Sequence, residues 1–301
     1  MHILITGGTG LIGRRLCAAL LARGEQVTVL SRRPHLVAQI CSATVRTMRS
    51  LDEWTPSMHF DAVINLAGEP IIDARWTTKR RQILLDSRVG LTEKLVEKIQ
   101  QAQVKPRVLL SGSAIGFYGT DETQSFTEEA GAGHDFSADL CMQWELAAQV
   151  AQTFGVRVVL LRTGLVLDET GGVLKKMLLP FQLGLGSQLG NGRQWMSWIH
   201  RQDYLRVVLH LLDDASAQGA FNLTAPNAVT NAEFTKILAK TLHRPALFVA
   251  PAFVLRLAMG ERSDLLLGGQ RVLPQSLLNQ QFQFEFADLA PALANLLKAS
   301  K

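Results

Sequence analysis

The sequence predicts an α/β fold: a doubly wound parallel sheet with helices on both faces, followed by a smaller, mostly helical C-terminal part. Three observations predict it. Ile3, Leu4 and Ile5 form a short apolar run that ends in a turn with glycines at 7, 10 and 13; a helical apolar face of Ile12, Leu16, Ala19 and Leu20 follows at once. Apolar runs of strand length then alternate with helical patterns as far as Thr163, as expected of parallel strands joined by crossover helices. Finally, the segments 7–13, 31–33, 65–69, 111–118 and 162–166 each follow an apolar run, so the carboxyl edge of one sheet should collect them.

Taken in order, the first helix stops at Gly24, which suits the position after a helix end. Strands are predicted over 27–30, near 44–48, and over 61–66, 107–110, 157–161 and 219–223. Thr77 or Thr78 can cap a long helix to about Gln103, with Ile83, Leu84, Leu91, Leu95 and Ile99 on its buried side. A second helix is predicted over 136–154. Beyond residue 166 the pattern loosens. Gly171, Gly172, Gly184, Gly186, Gly190 and Gly192 read as long loops, and an apolar helix spans 202–213. Asn231 can cap a further helix, and the tail over 250–297 is apolar and mostly helical.

Composition narrows the function classes. The chain has 301 residues, 47% of them hydrophobic and 19% charged, enough to build a sizeable core. Its net charge of +5 is scattered, and Lys79-Arg80-Arg81 is the longest cationic run, which speaks against a nucleic-acid surface. Cys17, Cys41 and Cys141 are odd in number and lack metal-ligand spacing, so a reducing compartment and no metal are expected. No apolar run approaches a membrane span, and no secretory leader is expected. A cytoplasmic protein with no membrane contact is the expectation.

The glycine turn carries the first chemical reading. Between a strand and a helix, glycines permit a tight turn, bring backbone N–H groups close to a pyrophosphate and aim the helix N-terminus at its charge. Gly7, Gly8, Thr9, Gly10, Leu11, Ile12 and Gly13 are therefore assigned to a bound dinucleotide, in a Rossmann-type domain. The end of the second strand selects among dinucleotides. An acid there would meet a free ribose 2′-hydroxyl, but the chain has Ser31, Arg32 and Arg33. A guanidinium fork suits a 2′-phosphate, so NADP(H) is the expected cofactor.

Thr6 to Gly13, Asn65 to Gly68, Ser111 to Ala114 with Tyr118 and Gly119, and Trp198 to Asp203 together resemble the extended short-chain dehydrogenase/reductases. Within them the chain is similar, end to end, to the atypical YfcH-like NAD(P)-dependent epimerase/dehydratase family proteins. The marks are Asn65 to Ile71, Leu179 to Gly186, Trp198 to His200 and Leu267 to Arg271. The resemblance implies that Leu66, Ala67, Gly68 and Glu69 run along the cofactor, that Val166 passes the nicotinamide, and that Ser113 orients a substrate oxygen. It also exposes a departure. The family's Tyr-x-x-x-Lys dyad aligns with Cys141 and Glu145, and neither Tyr118 nor Tyr204 has a lysine four residues on. Tyr118 is then the better surviving acid and Cys141 a packed helix thiol. Arg88 stands where the family has Asn; the expectation is that it holds the cofactor while Glu145 neutralises it. His200 and Asp203 are read as structural, and Trp195, Met196 and Trp198 as pocket or core.

Residues 1–165 with about 201–225 are assigned to the NADP-binding domain, and 166–200 with 226–301 to a substrate-side domain. The expected function is an NADP(H)-dependent oxidoreductase or epimerase-like enzyme acting on an unidentified small molecule without the usual dyad, with a homodimer as the assembly considered. The alternative is a catalytically silent NADPH-binding sensor.

Overall fold

Seven parallel strands run through the computed structural model, which describes residues 1–298. They are β1 (His2–Thr6), β2 (Gln26–Leu30), β3 (Arg46–Met48), β4 (Ala62–Asn65), β5 (Val108–Ala114), β6 (Arg157–Thr163) and β7 (Gly219–Leu223). Their order across the sheet is β3-β2-β1-β4-β5-β6-β7, every neighbouring pair parallel. The strands read as continuous apolar runs because both faces are covered. Leu16, Cys17 and Leu20 of the helix Leu11–Ala22, with Val207, Val208 and Leu211 of the helix Arg201–Asp213, pack on one face. Leu95, Val96 and Ile99 of the helix Leu91–Gln101, with Ala148 and Ala151, pack on the other. Chain direction across the sheet reverses between β1 and β4. A crevice opens at such a switch point, outside the carboxyl ends of the strands.

The remaining residues form a third core, in which Leu174, Phe181, Trp198, Phe234, Leu238 and Leu293 are buried. It is tied to the sheet layer by the short strand Gln270–Val272, which pairs in parallel with Asp121–Phe126. Four local expectations are corrected. The stretch after Gly171 is not a loop throughout: Gly172–Gln182 is a helix that buries Leu174 and Phe181 and carries Pro180 in its last turn. The long helix is broken by a π turn, Asp86–Gly90, between Thr78–Leu85 and Leu91–Gln101. That turn changes the helical phase, so Leu84 and Leu95 are buried while Ile83 is 37% exposed. Thr77 is its cap, as expected. The helix Asn231–Leu242 is capped by Thr230, not Asn231, through reciprocal hydrogen bonds with Glu233. The Asn231 carboxamide instead accepts the Leu189 N–H at 2.8 Å.

Candidate functional site

A cleft of about 800 Å³ lies along the carboxyl ends of β1, β4, β5 and β6, walled by Gly7, Gly10 to Gly13, Ser113 and Cys141 among others. The glycines make its floor possible. Gly7 has φ +71°, and a Cβ there would lie 2.8 Å from the Leu66 carbonyl; a Cβ on Gly13 would lie 2.2 Å from the Gly7 oxygen. Gly10 is exposed and caps the helix Leu11–Ala22, whose start has no side-chain cap and no acidic residue in its first turn. Its first N–H groups are left for a ligand at the cleft wall. Gly8 packs on Val29 and shapes the turn without lining the cleft, as does Thr9.

Beneath the switch point lies a buried polar network. The Thr6 hydroxyl donates to Asn65 Oδ1 at 2.7 Å; Asn65 Nδ2 donates to Thr92 at 2.8 Å and to Ser111 at 3.3 Å. Trp144 Nε1 donates to Thr92 at 3.0 Å, and the Thr92 hydroxyl donates to the Arg88 carbonyl at 2.7 Å. Satisfied networks of this kind fix geometry, here three strand ends and two helices under the cleft.

Leu66 and Gly68 line the cleft, with Ala67 and Glu69 in the same backbone run. Arg32 is 90% exposed and donates to Glu69 Oε1 at 2.9 Å. With Arg80, it holds the Glu69 carboxyl below the usual range. Ser31 accepts the Arg33 N–H, and Ser31, Arg32 and Arg33 are not among the residues that wall the cleft. Arg88 is half-buried in the wall. It donates to the Glu69 carbonyl at 3.0 Å and lies 5.4 Å over the Trp144 ring. A Cβ on Gly68 would come within 2.9 Å of its Cζ. Among the described residues no carboxylate pairs with Arg88, and burial lowers its pKa.

The expected Arg88–Glu145 pairing is therefore corrected: Glu145 pairs with Arg162. In the β5–β6 register Ser113 lies opposite Arg162, so both side chains leave the same face of the sheet. The Ser113 hydroxyl donates to Glu145 Oε1 at 2.6 Å, and Arg162 grips the same carboxylate through Nε at 2.8 Å and Nη2 at 2.9 Å. Both charged groups are buried, and the guanidinium carbon stands 3.6 Å from the Phe117 ring centroid. Burial alone would lower the Arg162 pKa; the hydrogen bonds and charge of Glu145 reverse this and hold it above its ordinary value.

Tyr118 is the second correction. Its hydroxyl donates to Asn222 Oδ1 at 2.7 Å and accepts from Arg162 at 2.9 Å, in the core and off the cleft wall. Burial pushes its pKa up, and both hydrogen bonds of the hydroxyl are made inside the core, where it anchors Arg162. Cys141 does face the cleft, but burial and then the Glu145 charge push its thiol up to about 12. Val166 is the third correction. It sits in a crevice behind Leu11 and Ile12, next to Arg15 and Asp168, while Thr163, Gly164 and Leu165 line the cleft. His200 is buried on Phe286, its Nδ1 accepting the Gln202 N–H, and burial pushes it down to about 4. Asp203 accepts the N–H groups of Glu285 and Phe286. Trp195 lines the cleft; Met196 and Trp198 are core.

Two groups escaped the sequence reading. Arg162 stands out in the sequence only within the segment 162–166, although a charge at the end of the buried run Val158 to Leu161 signals a buried partner. The far wall, Glu261, Asp264, Leu265, Gly268, Gly269 and Gln270, comes from the tail; the resemblance marks Leu267 to Arg271 but gives that segment no place in a site, and nothing marks Glu261, Asp264 or Leu265. Among the described residues there is no cluster of three His, Cys, Asp or Glu suited to a metal ion.

A model of the NAD dependent epimerase/dehydratase family matches residues 3–224, and a domain of unknown function, DUF1731, matches 250–296. The epimerase family protein SSP1921 of Staphylococcus saprophyticus is 39% identical, over 98% of this chain and 99% of that protein. The epimerase family protein YfhF of Bacillus subtilis is 37% identical, over 100% and 99%. A crystal structure of the human epimerase family protein SDR39U1 with NADPH superposes with a TM-score of 0.90 at 34% identity, over 99% of each chain. A nucleoside-diphosphate sugar epimerase from Corynebacterium glutamicum superposes with a TM-score of 0.77 at 31% identity, covering 99% of this chain and 58% of that one.

Proposed function

The chain belongs to the NAD dependent epimerase/dehydratase family, and from that premise we propose that it binds NADP(H) and works on a small-molecule substrate as an oxidoreductase or epimerase-like enzyme. The observation that carries the cofactor choice is the end of β2. Ser31, Arg32 and Arg33 stand where an acid would serve a free 2′-hydroxyl, and Arg32 is exposed and within reach of the Gly68–Glu69 edge. The residues present suit the whole cofactor. The glycine turn and the uncapped helix start would take the pyrophosphate. Arg88, a cation in the cleft wall without a carboxylate partner, would take negative charge further along. Arg32 would exchange Glu69 for the 2′-phosphate. The human relative solved with NADPH supports this reading.

The cofactor would supply hydride transfer. The chain's own part is positional. Ser113 presents a hydroxyl at the cleft wall whose proton is directed to Glu145, which leaves its oxygen lone pairs to accept from a substrate hydroxyl. Arg162 fixes the Glu145 carboxylate, so this orientation does not depend on solvent. The sealed Tyr118 and the thiol of Cys141, pushed up to about 12, favour a second reading, a catalytically silent NADPH sensor.

Titration with NADPH and NADH, followed by protection from thermal unfolding, tests the cofactor. Arg32→Ala should weaken NADPH about tenfold, the scale of one charge-assisted hydrogen bond, and leave NADH unchanged. Equal affinity for both cofactors in the wild type would overturn the NADP(H) assignment. Substrate-dependent NADPH oxidation that Ser113→Ala abolishes supports the enzyme; binding without turnover across carbonyl and sugar-nucleotide substrates supports the sensor.

A further inference from the structure

We propose that an apolar, cationic face on the C-terminal part docks peripherally on anionic lipid bilayers. Leu183, at the end of the helix Gly172–Gln182, is 65% exposed; Leu247 is 85%, Phe253 72% and Leu257 82%. The segments that carry these side chains adjoin one another. Phe248–Ala250 pairs in parallel with Ser187–Leu189, and Arg244 Nε donates to the Gln182 carbonyl at 2.9 Å. Large apolar side chains this exposed, and grouped, mark an interaction surface.

Charge selects the occupant. Between Gly171 and Gln202, and again between Phe234 and Gly260, the sequence contains no Asp or Glu but eight Lys and Arg. Two of these are paired, Lys176 with Asp73 and Arg201 with Glu169. Lys175, Lys240, Arg244 and Arg256 are exposed and form no ion pair among the described residues. A second copy of this face would bring like charges together with no acid to offset them. An acidic protein would satisfy the charge, but Leu247, Phe253 and Leu257 are each more than 70% exposed, as insertion into a bilayer interface needs. Protruding apolar side chains beside lysine and arginine are what a bilayer with anionic headgroups accepts. No helix among the described residues is long and apolar enough to cross a membrane, so the contact is peripheral. Helix Ala252–Met259 leads directly to Glu261 in the cleft wall, which would set the cleft beside the lipid surface.

Flotation with vesicles of phosphatidylcholine, alone or mixed with phosphatidylglycerol, tests this. The wild type should float with the mixed vesicles and not with phosphatidylcholine alone. Leu247→Glu with Leu257→Glu should lower the bound fraction about tenfold or more, as should Lys175→Glu with Arg256→Glu, because the contact needs both insertion and charge. Circular dichroism of the same variants checks that they are folded; all four positions are exposed. Absence of flotation by the wild type, or flotation unchanged in the folded apolar variant, overturns the proposal. So does a wild-type dimer in sedimentation velocity that the apolar variant abolishes, which would make the face a contact between copies.

Discussion

At the glycine end of the cleft, one stretch from Gly7 to Gly13 supplies the wall, and its geometry is carried by backbone. At the Ser113 end, the equivalent support comes from β5, the helix Phe136–Gln149, β6 and β7, and is carried by side chains: Ser113, Glu145, Arg162, Tyr118 and Asn222 in one buried chain of hydrogen bonds. The two ends fail differently. A backbone turn is intolerant of any added atom, whereas a buried ion pair is intolerant of losing one partner but tolerant of losing both. The support of the glycine end is thus local and that of the Ser113 end is distributed.

The largest effect should come from breaking the pair on one side. Arg162→Ala leaves Glu145 buried without its cation and should cost about 3–5 kcal/mol in urea unfolding. Replacing both, Arg162→Met with Glu145→Met, should return stability to within about 1–2 kcal/mol of the wild type. Equal losses in the single and double variants would mean that the two residues do not act as a pair. Next is the backbone end. Gly13→Val would place its Cβ where the Gly7 carbonyl oxygen stands, so it should cost about 1–3 kcal/mol from overpacking and remove protection by NADPH altogether. A Gly13→Val variant that still binds NADPH would show that the turn does not hold the cofactor. Tyr118→Phe should cost less, about 1–2 kcal/mol, because Asn222 and Arg162 each lose one buried partner. Any turnover should survive it; abolition of turnover with stability unchanged would return Tyr118 to the role of acid.

The same contrast explains what the sequence discloses. The sheet and the glycine turn were legible because each is contiguous and rests on a local rule: apolar periodicity and the space a glycine leaves. Arg162 and Glu145 are 17 residues apart on different elements, and no local rule pairs them. Arg88 was expected to hold the cofactor with Glu145 as its counter-charge; it lines the cleft, but Glu145 pairs with Arg162, and a match of sequence positions does not report direction in space. Ile83 was misplaced because a π turn leaves no trace in a 3.6-residue pattern. The exposed face around Leu247 and Phe253 was illegible for another reason: apolar residues in a helical tail are read as core until a structure shows nothing above them.

The smallest effect concerns Cys141, where the dyad's tyrosine would stand. It lines the cleft at 5% exposure, and burial and the Glu145 carboxylate both disfavour its thiolate and push the pKa up to about 12. Alkylation needs the thiolate. At pH 8 the reactive fraction would be about a thousandfold lower than for a free thiol of pKa near 9, and the rate should rise about tenfold per pH unit with no plateau below pH 10. Glu145→Gln removes one of the two causes but also leaves Arg162 without its counter-charge, so the several-fold faster alkylation expected of it is to be read only under conditions where circular dichroism shows the variant folded. Iodoacetamide labelling resolved by peptide mass measures both. A plateau near pH 7 in the wild type would mean a stabilised thiolate at the reacting end of the cleft, and would make Cys141, rather than Ser113, the group to test first for proton transfer.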